Sequence, residues 1–300
     1  MARKRDWPAD PEPFPVPLID NHTHLTHVPD VLADDVADPG VAGHLRRAAG
    51  VGVDRVVQVG CDLDSAPASV TMAQDHPEVV AGVAVHPNEA PLHDGVREVG
   101  PDGLAPKPLE RHQRSLDEAI ARIADLARHP RVRTIAETGL DFFRTGDQGR
   151  HSQRRSFRDH IALAKELGLP MQVHDREAHQ DILQVLDADG PPEVTVLHCF
   201  SGDAAFAREC IARGFYLSFA GTATFKNAEH LREAVREVPR EQLLVESDAP
   251  FLTPHPHRGA PNGPYLVPIT VRLLAQVRGE DPVELGAQIT RTTEQLYGTW

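Results

Sequence analysis

The sequence predicts an α/β fold, a single-domain (β/α)8 barrel of the TIM type. Three observations predict it. Short runs rich in Val, Ile and Leu recur along the chain and read as strands buried on both faces. Stretches with helical spacing separate them. Side chains that can ligate a metal stand at the ends of several of these runs, as in LIDNHTH, VRTIAETGLD, PMQVHD, VTVLHCF and LLVESDAP. An open doubly wound sheet is the competing architecture. It would need a topological switch point and normally a Gly-rich first turn, and neither is visible.

Residues 1–17 begin basic and continue Pro-rich. They lack an apolar stretch of the signal-peptide kind and predict an extended N-terminal arm. The barrel domain is expected over residues 18–300. Its strands are predicted at 18–25, 55–60, 79–86, 132–140, 170–174, 194–200, 215–220 and 243–248. Helices are predicted at 41–50, 65–76, 116–128, 153–167, 177–186, 204–213, 228–237, 266–277 and 282–296. The helix 153–167 carries apolar Phe157, Ile161, Leu163, Ala164 and Leu167 at helical spacing. Gly168 and Gly214 fall where helix C-caps belong. Residues 87–115, rich in Pro, Gly and charge, form the longest interruption. They follow the third strand, on the side where barrel active sites are built. A substrate loop and a tolerated surface insertion are both open readings.

Bulk composition narrows the function classes. The 300 residues carry a formal net charge of −13, which argues against a broad basic groove tracking many phosphates. An enzyme that takes one phosphodiester at a metal site remains compatible, because the metal supplies positive charge locally. Three cysteines without a CxxC pair suggest a reducing, cytoplasmic setting and no disulfide framework. No run approaches the roughly 18 apolar residues of a membrane span, so no membrane association is expected. A monomer or small homo-oligomer is expected.

The candidate ligands are His22, His24, Glu137, His174, His198 and Asp248. His22 and His24 flank Thr23, and residues two apart in a strand point to the same side. That spacing alone is weak: His255 and His257 show it too, among prolines. Glu137 ends an apolar run, where a carboxylate is costly unless paired or metal-bound. His174 and His198 end the next two strands. Singly, each reads more readily as a hydrogen-bonded core histidine; repetition at equivalent strand ends favours ligands. Asp248 ends the eighth strand and could also accept a proton from attacking water. Glu246, two residues earlier, reads as a polar group supporting the ligands from behind. Cys199 reads as a small buried residue beside His198. An imidazole and carboxylate set suits Zn, Mn, Co or Fe, and Mg less well. Two such ions would clamp the attacking and leaving oxygens of a phosphoryl displacement.

The motifs DNHTHL, ETGLDFF, VHDREA, LHCFSG and ESDAPFLTP together resemble the TatD-related metal-dependent deoxyribonucleases, barrel hydrolases of the amidohydrolase type. The resemblance runs from about Leu18 to Gly298. It implies that His22, His24, Glu137 and Asp248 hold one metal and Glu137, His174 and His198 the other, with Glu137 bridging. It also implies phosphate contacts from His86, in GVAVHP, and from Arg176. An arginine fork suits phosphate oxygens. Two departures stand out. Asn88 occupies a position where family members often carry a second histidine. Pro261-Asn262-Gly263-Pro264 replaces an Arg-Asn-Glu-Pro-like run, leaving Asn262 as a candidate substrate contact.

The expected function is therefore a hydrolase with two divalent ions (Zn, Mn or Mg) that trims the ends of single-stranded DNA by metal-activated water. Catalytic roles fall to Asp248, Glu137 and Arg176. Phe142, Phe143 and Phe225 are possible base-stacking partners, though core packing is the plainer reading for at least two of them. The same ligands would serve hydrolysis of an ester, lactone or amide, including an aminoacyl-tRNA ester. A non-catalytic metal- or nucleic-acid-binding scaffold is a third reading, disfavoured by the complete ligand set.

Overall fold

The structure, a computed structural model, describes residues 6–300. Residues 1–5 of the predicted arm lie outside the described residues. The eight strands are β1 (Leu18–Thr23), β2 (Val53–Gly60), β3 (Val79–Val83), β4 (Val132–Asp141), β5 (Met171–Arg176), β6 (Thr195–Leu197), β7 (Tyr216–Phe219) and β8 (Leu243–Val245). They form one sheet in chain order, with helices alternating between them. This is the (β/α)8 architecture the sequence predicts. Two compact units are recognisable, one of residues up to Gln58 with Cys199–Trp300, the other of Val59–His198.

In the first unit, β1 pairs with β2 in parallel, Leu18 opposite Val53 and Thr23 opposite Gln58. β7 pairs with β8 in the same sense. The ends of β8 and β1 meet through backbone bonds: Asp248 N–H donates to His22 O at 3.0 Å and His24 N–H to Ala249 O at 2.6 Å. Residues 6–17 form neither helix nor strand, yet they are packed rather than loose. Phe14 is buried, and its N–H donates to Val51 O. The Arg47 guanidinium holds Asp10 and the Pro8 carbonyl. Those bonds fix the arm to the helix Gly40–Gly50, which carries Arg47, and the same guanidinium lies 3.6 Å over the Tyr265 ring in a cation–π contact.

In the second unit, β3, β4, β5 and β6 pair in parallel, with Gly139 opposite His174. Gly139 has φ +143, and a Cβ there would stand 2.1 Å from His174 O. Only glycine lets the two strands approach so closely at that angle. Gly139→Ala is expected to lower unfolding free energy by roughly 2–5 kcal/mol, from backbone strain plus overpacking. Urea denaturation measures this; an unchanged midpoint would contradict it.

The helix Asp147–Leu167 is longer than predicted by a turn and a half at its start, and Gly168 caps it with φ 64. Its His160 is fully buried. Nδ1–H donates to Ser156 O at 2.7 Å, and Nε2 accepts the Val85 N–H at 3.1 Å. Burial pushes its pKa from 6.5 down to about 4. A depressed folded-state pKa means the unfolded chain binds the extra proton first. Stability from this group is therefore full above pH 6.5 and lost as pH falls from 6.5 to 4. The loss amounts to about 3 kcal/mol, since each unit is worth 1.36 kcal/mol. His160→Gln should flatten the stability–pH slope in that window by about one proton. Denaturant titrations at pH 7, 5.5 and 4.5 measure it, and identical slopes for both proteins would contradict it.

β1, β3, β6, β7 and β8 stop earlier than the sequence pattern suggests, whereas β4 and β5 run on to Asp141 and Arg176. His24, His86, His198 and Asp248 lie just past the last strand residue, in the turns that follow. His22, Glu137 and His174 lie within β1, β4 and β5, so the ligands divide between the strands and the loops at their carboxyl ends, where barrels place their chemistry.

Candidate metal centre

The first unit brings His22, His24 and Asp248 together. The two Nε2 atoms are 3.0 Å apart. Asp248 Oδ1 lies 3.6 Å from His24 Nε2 and 4.0 Å from His22 Nε2. All three side chains are buried. The local sequence fixes each one. Gln58 accepts the Leu25 N–H at 2.7 Å and donates to Thr26 Oγ1, so it pins the turn that carries His24. Asp20 accepts from Ser247 N–H at 2.8 Å, Ser247 Oγ–H at 2.5 Å and His22 N–H at 3.3 Å, tying β1 to the residue before Asp248. Burial pushes the Asp20 carboxyl up to about 7, with the Ser247 and His22 bonds opposing. Asp248 itself sits at φ 50, a left-handed conformation that Asp tolerates better than most residues.

The second unit brings Glu137, His174, His198 and His86 together. Glu137 Oε1 lies 2.5 Å from His174 Nδ1, 2.7 Å from His198 Nε2 and 3.3 Å from His86 Nε2. Burial alone would raise the Glu137 carboxyl. The surrounding imidazoles outweigh it and hold the group well below the usual range. Burial opposes a proton on His174, but hydrogen bonds to Asp141 and Glu137 push its pKa up to about 9. His86 Nδ1 accepts the Asn88 N–H at 3.0 Å. Its Nε2 is therefore the donor side of the neutral ring.

Asp141, the last residue of β4, takes part although the sequence reading assigns it no role. Its Oδ2 faces His174 Nε2 at 3.3 Å and accepts from Asn88 Nδ2 at 3.0 Å. Its Oδ1 accepts the Phe143 and Arg144 N–H groups. A carboxylate behind a ligating imidazole fixes its ring and raises its basicity. Asn88, the departure noted above, thus braces both His86 and Asp141.

Other candidates sort by position. Arg176 is exposed, and its guanidinium carbon lies 4.1 Å over the Phe143 ring. Phe142 is buried under Arg150, and Phe225 lies under Arg258. Glu246 is fully buried and accepts the Cys199 N–H at 2.8 Å. That bond holds the turn after His198, where Cys199 has φ 42. Asn262 departs from the expectation of a substrate contact. It is fully buried; Nδ2 donates to Ser247 O at 2.8 Å and to Phe251 O, while Oδ1 accepts the Gly263 N–H. Both amide hydrogens are spent bracing the loop around Asp248.

The donors fit divalent cations. His22, His24 and Asp248 present three ligand atoms within 4.8 Å of one another, and Glu137 Oε1 stands 2.5 Å from His174 Nδ1 and 2.7 Å from His198 Nε2. Two imidazoles and a carboxylate in each are the donors of first-row divalent metals. Buried lone pairs turned on one another in this way repel unless a proton or cation sits among them. Such clusters at strand ends of a (β/α)8 barrel define the framework of a metal-dependent hydrolase.

The comparisons with known proteins agree. The family model "TatD related DNase" matches residues 19–298. The chain is 42% identical over 285 residues to the uncharacterized metal-dependent hydrolase TatD of Mycobacterium tuberculosis, covering 94% of this chain and 98% of that protein. It is 30% identical over 260 residues to the 3′-5′ ssDNA/RNA exonuclease TatD of Erwinia tasmaniensis, covering 84% and 92%. The crystal structure of YjjV, a TatD homolog from Escherichia coli K12, superposes with a TM-score of 0.78 at 23% identity over 94% of this chain and 98% of the other, a likeness of fold. The chain belongs to the TatD related DNase family of metal-dependent hydrolases. Among the described residues, no helix is long and apolar enough to cross a membrane.

Proposed function

We propose that the protein hydrolyses phosphodiester bonds at the ends of single-stranded DNA, using two divalent ions, one on each cluster. The observation that carries this reading is Arg176. This exposed residue, two after His174, has its guanidinium carbon 4.1 Å from the centre of the Phe143 ring and pairs with no carboxylate among the described residues. A preoriented fork of N–H donors matches phosphoryl oxygens, whereas a carboxylic ester or amide gives it little to bind. The name of the Erwinia tasmaniensis relative, an ssDNA/RNA exonuclease, points the same way.

When bound, the ions would supply Lewis acidity and water activation. The side chains do the rest. Arg176 binds the scissile phosphate and stabilises charge on its oxygens. His86, its Nδ1 occupied by the Asn88 N–H, turns an Nε2–H donor toward the same centre. Asp248 accepts the proton of the attacking water. The acidic chain, net charge −13, favours engagement of one strand end over sliding along duplex.

Arg176→Ala is expected to lower kcat/KM on a single-stranded oligomer by about 10- to 100-fold, the worth of a charged hydrogen-bond pair. Bound metal should be unchanged, which mass spectrometry of the dialysed protein checks. Turnover of a carboxylic ester or an amide, where any occurs, should be indifferent to the substitution. A protein that cleaves esters and leaves DNA intact would instead be a barrel hydrolase of carboxylic esters.

A further inference from the structure

A third group of metal-ligating side chains lies in the second unit, within residues 87–115. Glu89, His93 and His112 each present one ligand atom, all within 4.8 Å of one another. The two rings meet edge-on, centroids 4.9 Å apart. His93 is only 6% exposed, and its Nδ1 faces the Arg114 carbonyl oxygen at 2.9 Å. A carbonyl only accepts, so Nδ1 carries the proton and Nε2 presents its lone pair. That buried Nε2 has no hydrogen-bond partner among the described residues. Burial also lowers the pKa of His93, which keeps the ring neutral. An imidazole nitrogen in this condition costs free energy unless something supplies a partner.

His112 has the opposite tautomer. Its Nδ1 accepts the Leu109 N–H at 2.7 Å, so Nε2–H donates to Glu89 Oε2 at 2.8 Å. With the His112 proton moved to Nδ1, at the expense of the Leu109 N–H bond, a cation in its former place would meet Glu89 Oε2, His112 Nε2 and His93 Nε2, and the ring stays neutral. Neighbouring charge permits it. Arg111 pairs with Glu89 at 2.6 Å, Asp64 at 2.9 Å and Asp62 at 3.6 Å. Three carboxylates against one guanidinium leave two negative charges, which a divalent ion cancels. The arginine keeps two aspartates if Glu89 turns to a metal.

We propose that Glu89, His93 and His112 form a zinc site separate from the two clusters above. Two imidazoles and one carboxylate are zinc ligands, with a fourth position left for water. The site would tie the start of the long segment to its end. Between these points the chain borders a cavity of about 520 Å³, with Leu92, Glu98 and Asp102 on one side and Arg144 and Gly146 on the other. Asp102 pairs with Arg144 at 2.8 Å, and Glu98 accepts the Gln148 N–H at 2.9 Å. Closing the neck therefore holds the segment against the carboxyl end of β4. This inference stands whether or not DNA is the substrate.

The test is zinc itself. Wild-type crystals soaked in zinc chloride and measured on both sides of the zinc edge should show an anomalous peak among Glu89, His93 and His112. Dialysed His93→Gln and Glu89→Gln proteins should each hold one equivalent of zinc fewer than the wild type. Zinc should slow tryptic cleavage after the exposed Arg97 on the order of tenfold in the wild type and not in His93→Gln, because a ligand bound only to the ordered segment suppresses its opening. Zinc peaks at the other clusters with none here would overturn the proposal, as would undiminished zinc in His93→Gln. The crystal measurement decides if either variant fails to fold.

Discussion

Glu137→Ala is expected to abolish metal-dependent hydrolysis, with a fall on the order of a thousandfold or more, because several kcal/mol of charge stabilisation depend on a filled centre. The reason is the position of one oxygen. Glu137 Oε1 faces His174, His198 and His86, all within 3.3 Å. Removing it leaves three imidazoles around a space with no anion to balance a cation. Divalent metal bound at this cluster should fall with the activity, and mass spectrometry after dialysis would show it. Glu137→Gln is the sharper variant. It keeps shape and an acceptor oxygen but loses the charge, so a correctly folded, inactive, metal-poor protein is the expected result. Wild-type turnover in Glu137→Gln would show that the charge is not needed.

Asp248→Asn is the second large effect, a loss of about 10²- to 10⁴-fold, the range for removing a positioned proton acceptor. This substitution is clean for a backbone reason. Asp248 sits at φ 50, and Asn accepts the left-handed region where most residues are strained. The backbone bond from its N–H to His22 O survives, so the junction of β8 with β1 should stay intact. Thermal unfolding of the metal-free protein should shift little. Asp248→Leu would add backbone strain to the chemical loss and lower stability as well. Equal stability of the Asn and Leu variants would contradict the strain argument, while full activity of Asp248→Asn would remove Asp248 from the chemistry.

Strand order and ligand types were legible because both are local patterns. Near-continuous Val, Ile and Leu runs mark parallel strands, and an HxH or a carboxylate at the end of such a run stands out against them. Three-dimensional partners were not legible. Asp141 sits in the quoted ETGLDFF stretch. Its role depends on the register that sets Gly139 opposite His174 and Asp141 opposite Arg176, which no local pattern reveals. Asp20 and Gln58 stand inside apolar runs, and the sequence reading assigns them no role. Both prove to pin the turns that present His22, His24 and Asp248. A fully buried polar residue in a strand was the available signal, since burial without a partner is costly. The resemblance suggests a substrate contact for Asn262, and only the fold shows that its amide donates to the carbonyls of Ser247 and Phe251. Glu89 and His93 stand four apart about the short helix Ala90–His93, but His112 lies 19 residues further on in another short helix, so only folding brings the three together.

The central claim is that two metal-filled clusters cleave phosphodiester bonds at a strand end. Release of labelled nucleotide from a 3′-labelled single-stranded DNA oligomer, by chelator-treated protein resupplied with Mg, Mn or Zn, tests it most directly, with Glu137→Ala alongside. The account predicts release that requires added metal and disappears in Glu137→Ala. Metal-replete wild-type protein that leaves the oligomer intact while hydrolysing a carboxylic ester would contradict it.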